Sequence, residues 1–144
     1  MRILTSITIA APREAVWRTF VAVDYWRQWS PWNLRFPHQP RFEQGVRFFV
    51  TASAPFLSFI KLTYPCQVSA LEDSKWICWS GRVFGVPGYH QFTMEDTADG
   101  CRVLSEERFK GPLAPLLRPV KGLIQANVIE FLSRLRGAAE ATAP

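Results

Sequence analysis

Residues 3 to 9, ILTSITI, alternate apolar and polar positions with a period of two, which predicts a strand with one buried face. At Ala10-Ala11 the period changes. Pro12 falls in the first turn of a helix, where its missing N–H is harmless, and Val16, Phe20 and Val23 then recur at i, i+4 and i+7 as one apolar stripe. Asp24 is expected to cap a second short helix through DYWRQWSPWN, a segment that crowds Trp26, Trp29 and Trp32 into residues too polar for a core strand.

From residue 41 onward short β-rich runs alternate with turn residues: RFEQ, VRFFVTA, a loop with Pro55, KLTYPCQVSAL, KWICWSGRVF, YHQFTMED and CRVLSEERFK. This is the pattern of an antiparallel meander. A turn centred on Asp73-Ser74 sets Val68 opposite Trp79 and Ala70 opposite Ile77. A second, centred on Val86-Pro87, sets Val83 opposite His90 and Gly81 opposite Phe92. A third near Ala98-Asp99 sets Phe92 against Ser105, Met94 against Val103 and His90 against Glu107. These registers gather the apolar side chains on one face and leave Arg82, Gln91, Glu95, Arg102, Glu106 and Arg108 for water, with Glu95 opposite Arg102.

After three prolines the chain ends in a long helical pattern, with Val120, Ile124, Val128, Phe131 and Leu135 on one side and Lys121, Gln125 and Arg136 on the other. A sheet and a helix, each apolar on one face, cover each other, so the expected class is a two-layer α+β domain.

Composition narrows this picture. At 144 residues with 48% hydrophobic and 20% charged positions, the chain reads as one globular domain over residues 1–140, followed by a disordered tail at 141–144. Its apolar runs all fall short of the roughly 18 residues that cross a bilayer, so stable membrane insertion is not expected. The start of the chain lacks the continuous apolar block of a signal peptide, and the expected location is cytoplasmic. Three cysteines, Cys66, Cys78 and Cys101, are odd in number and form no C-x-x-C pair, which fits reduced thiols and no metal or other cofactor. The net charge of +5 is spread along the chain without a basic run or an aromatic-basic RNA signature, so no nucleic-acid partner is expected. Oligomeric state is left open.

The order strand, short helices, meander and long final helix resembles the helix-grip fold of the START-related SRPBCC superfamily, in its polyketide cyclase/dehydratase-like branch. Ala11-Pro12, Val16-Trp17, Asp24, Trp29 and Pro31 match the family's opening, and Gly88, His90, Phe92, Glu107, Phe109 and Gly111 match the paired strands before its last helix. Cys101, where this group often has threonine, and Pro119, at the start of the last helix, depart from it. The resemblance implies a curved sheet of six or seven strands gripping the helix around an apolar cavity. It specifies a fold better than an activity.

Two functions of different kind follow. One is a carrier, chaperone or sensor for a hydrophobic small molecule, held by Trp26, Trp29, Trp32, Phe48, Val68, Trp79, Phe92, Met94, Ser105, Asn127 and Phe131. The other is a cyclase- or dehydratase-like enzyme in which His90 and Glu107 move a proton to or from a bound carbonyl compound. A carboxylate in an apolar interior needs a donor, a water or a proton of its own, and His90 is the nearest donor. The pair is therefore either a buried structural bond or an acid–base device. Asn127 is either a cavity donor or a helix residue bonded to the end of the sheet. The basic net charge alone leaves a third and weaker reading, a protein associated with membranes or RNA.

Overall fold

The computed structural model describes residues 1–54 and 57–142. Strand β1 (Arg2–Ile9) leads into α1 (Arg13–Val21), a 3-10 turn (Val23–Tyr25) and α2 (Trp26–Trp29). Six strands follow: β2 (Asn33–Arg35), β3 (Arg47–Ala54), β4 (Leu57–Glu72), β5 (Trp76–Val83), β6 (Val86–Thr97) and β7 (Gly100–Phe109). A 3-10 segment (Ala114–Val120) containing Pro119 then gives way to α3 (Lys121–Thr142). The seven strands form one antiparallel curved sheet in the order β1-β7-β6-β5-β4-β3-β2, so every chain neighbour in the meander pairs and β1 closes onto β7. The fold class is α+β, as the patterning predicts, in the helix-grip arrangement that the resemblance implies.

Local chemistry differs from expectation at several points. Pro12 is the N-cap residue of α1, one position before its first turn, and Asp24 makes no capping bond to the short helices. α3 runs through Thr142, two residues into the stretch expected as a disordered tail; residues 143–144, and the loop expected at Pro55, lie outside the described residues.

The first register survives through two cancelling irregularities. The β4–β5 loop holds Asp73, Ser74 and Lys75, one residue more than expected, so Leu71, not Ala70, faces Ile77. A bulge at Ser69 then takes up the extra residue and restores Val68 opposite Trp79. The β5–β6 turn is Phe84-Gly85, with φ of +52° and +78°, the backbone of a tight twisted hairpin. Val83 therefore pairs with Val86, Gly81 with Gly88 and His90 with Trp79, four residues away from the expected register. The shift is even, so every side chain keeps its face. The third register is as expected throughout: Phe92 faces Ser105, Met94 faces Val103, His90 faces Glu107 and Glu95 faces Arg102.

The outer face carries ion pairs such as Arg102–Glu95 at 2.6 Å and Arg2–Glu106 at 2.7 Å. The inner face packs on α1 and α3 in a core centred on Phe20, Trp79, Phe92 and Phe131. No helix among the described residues is long and apolar enough to cross a membrane.

Candidate functional site

Two adjacent rows across the inner face build a polar niche. Trp79, His90 and Glu107 stand side by side on β5, β6 and β7. The next row is Cys66, Gly81, Gly88 and Phe109. Glycines in the middle of that row leave the space open, and the strands need them. A Cβ on Gly81 would lie 2.6 Å from the Pro65 carbonyl oxygen, and one on Gly88 equally close to that of Arg108. The result is a niche of about 30 Å³, roughly the space of a water molecule, with Tyr64, Cys66, Trp79, His90 and Glu107 around it.

His90 Nε2 lies 2.6 Å from Ser105 Oγ, and Nδ1 lies 3.3 Å from Glu107 Oε1. Burial opposes charge on both partners. It lifts the Glu107 carboxyl to about 8 and drops His90 to about 3, so at neutral pH an uncharged acid faces an uncharged imidazole. Nε2 and Ser105 Oγ share a hydrogen bond, whereas Nδ1 only stands against the Glu107 carboxyl. Burial and the nearby Glu107 push the Cys66 thiol up to about 12, which leaves it inert. Thr5, which pairs with Ser105 across β1 and β7, has a buried Oγ1 without a hydrogen-bond partner among the described residues.

The order Ser105, His90, Glu107 is that of a hydrolase triad, but its electrostatics are not. An imidazole held near 3 takes no proton from a serine at neutral pH, and Ser105 is 1% exposed. What the group offers is a proton. Glu107 is a neutral carboxylic acid beside an apolar interior, suited to donate to a carbonyl or hydroxyl oxygen.

The crowded tryptophans have a common seat. Trp26, Trp29 and Trp32 all pack on Phe131 of α3, with ring centroids at 5.1, 5.4 and 4.1 Å. Trp26 Nε1–H donates to the Phe20 carbonyl at 2.7 Å. Trp32 Nε1–H donates to Asn127 Oδ1, and Asn127 Nδ2–H donates to the Ser53 carbonyl at 2.7 Å, so Asn127 ties the helix to the end of β3.

Phe48, Val68, Trp79, Phe92 and Met94 are buried in the same core, and Trp29 is half-buried against it. The side chains expected as walls of one large cavity thus interlock with each other. Besides the niche they leave an apolar groove of about 210 Å³ where β3 and β4, the β5–β6 turn and the start of α3 converge. Ala52, Leu62, Val83 and Ile124 line it, Ile60, Phe84 and Leu123 form its exposed rim, and Asn127 lies at its polar end.

Sequence reasoning brings His90, Glu107 and Ser105 together, has Gly88 only as a match of the family resemblance, and misses Tyr64 and Gly81. Tyr64 was within reach, because it sits two residues before Cys66 on the same face of the strand. The glycines carry no such signal, since their role appears only when neighbouring backbones are in place.

No protein-family model matches the chain, and no curated protein matches it. Solved structures do. A protein from Mesorhizobium loti superposes with a TM-score of 0.78 at 19% identity over 100% of both chains. The di-domain ARO/CYC StfQ from the steffimycin biosynthetic pathway gives 0.75 at 13% identity, over 97% of this chain and 50% of its own. DynU16, from the dynemicin biosynthetic locus, gives 0.74 at 15% identity, over 99% of this chain and 48% of its own. The chain therefore shares the helix-grip fold of these proteins and spans about half the length of StfQ and DynU16.

Proposed function

We propose that this helix-grip chain, with residues 1–140 acting as one domain, binds a small hydrophobic molecule that carries an oxygen for Glu107, as a carrier, chaperone or sensor. The observation that supports this most is the neutral Glu107 carboxyl beside aromatic walls and close to an apolar groove with an exposed apolar rim. Such a combination favours a mostly apolar ligand oriented by one polar contact. The lipid, quinone and polyketide-like classes all fit it. Three free cysteines agree with a reducing cytoplasm as the place of action. Titration with fatty acids, quinones and aromatic polyketides, followed by tryptophan emission and melting temperature, tests the reading: a saturable response to at least one class is expected, and none from any class overturns it.

A cyclase- or dehydratase-like activity is the second reading. The lifted Glu107 supports it, as does the fold shared with a protein named ARO/CYC. Here Glu107 is the general acid for a bound carbonyl, His90 positions it, and the carboxylate takes its next proton from water. Glu107→Gln and His90→Ala should then each lower turnover by about 10² or more while binding persists.

A further inference from the structure

The groove and the niche share one lining residue, Val83. Trp32 stands between their other ends. Its indole N–H is bonded to Asn127, which lines the groove, and its ring centroid is 5.9 Å from that of His90, which lines the niche. At about 210 and 30 Å³, the two spaces fall short of the roughly 300–1,000 Å³ that bound small molecules occupy, even together.

The Trp32 ring is also the one buried indole whose backbone lies outside a helix or strand. Trp79 lies within β5, a central strand, and Trp26 donates to a backbone carbonyl. Trp32 lies between a four-residue helix and a three-residue strand at the edge of the sheet. Its backbone N–H is bonded to the Ser30 hydroxyl at 2.9 Å, and its indole N–H to a side chain. Its slot is flat, since the ring lies parallel to Phe131 within 6°.

We propose that Trp32 is an internal plug in the ligand site, and that the ligand displacing it is a flat fused aromatic with a hydroxyl donor for Asn127 at one end and an oxygen near Glu107 at the other. The inference rests on the ligand-binding reading above and narrows its ligand class. A planar ring replaces the stacking on Phe131 that the indole gives up, and a hydroxyl replaces the indole N–H on Asn127 Oδ1 while Asn127 keeps its bond to Ser53. A saturated chain can do the second but not the first.

The probe is 2,6-dihydroxynaphthalene, with 1,8-octanediol as its flexible counterpart. In protein labelled with 5-fluorotryptophan, the Trp32 fluorine signal is the one absent from Trp32→Phe. Saturation with the naphthalenediol should move that signal to an exposed position sensitive to deuterated water, and octanediol should bind at least ten times more weakly. Trp32→Ala, or Trp32→Leu should the alanine variant fail to fold, should bind the naphthalenediol about ten-fold tighter, because no ring has to leave. Binding with the Trp32 signal unmoved, or equal affinity for both diols, overturns the plug and leaves the ligand-binding reading standing. Failure of the folded wild type and the folded variant to bind either diol, together with silence across the titration panel, overturns both.

Discussion

His90 on β6 and Glu107 on β7 face each other at 3.3 Å, and burial keeps both uncharged. Tyr64 and Cys66 on β4, which share the niche, are pushed up by the same burial and stay protonated.

Opposite pH dependences follow for the two partners. The Glu107 carboxyl rises from 4.5 to about 8 on folding, so its stabilising share is complete below 4.5 and is lost as pH rises through 8. His90 falls from 6.5 to about 3, so its share is complete above 6.5 and is lost as pH falls through 3. The slopes offset each other between 4.5 and 6.5, where stability should be flat and greatest. From pH 6.5 to 8 it should fall by about 1 kcal/mol. Urea unfolding across that range should show the decline in the wild type and its loss in Glu107→Gln, which keeps a polar group beside His90 without a proton to lose.

Phe131 is the common seat of three tryptophans, and its loss should be felt by all of them. Phe131→Ala should cost about 3–5 kcal/mol in urea unfolding. Tryptophan emission of the folded variant should shift to the red as Trp29 and Trp32 gain water. An unshifted spectrum would count against the shared packing.

Gly81 and Gly88 are held by neighbouring carbonyls rather than by positive φ. Gly88→Ala should destabilise by about 1–3 kcal/mol, since its new methyl group must push Arg108 or the Phe109 ring aside. Gly122→Ala, on α3 with nothing within 4 Å, is the matched control and should be neutral or stabilising. Thermal melts of the two variants provide the comparison.

Cys66 and Cys101 are buried with thiols pushed up to about 12 and 11, whereas Cys78 is half-buried on the other face of the sheet. In native protein a thiol reagent should modify Cys78 first and leave the other two until urea is added. Mass mapping of the labelled peptides gives the order, and early labelling of Cys66 would contradict the packing around the niche.

The sequence by itself determined most of the order of elements, though it set a strand at RFEQ where the chain turns and missed β2, together with the face each meander strand buries and the pairing of His90 with Glu107. Those features rest on periodicities of two and of 3.6, which are local, and on turns that keep strand neighbours adjacent in the chain. Even the four-residue error in the β5–β6 register cost no side chain its face, because a strand repeats every two residues. Only the tertiary structure decided how the interior is shared out. Whether Trp32 lines a cavity or fills it depends on the shape of Phe131 and the reach of Asn127, 95 residues further along the chain. The space beside Glu107 depends on how closely β4 and β7 approach two glycines. Burial then set the charge of the pair, because the cost of a lone carboxylate is fixed by everything packed around it and by no pattern along the chain.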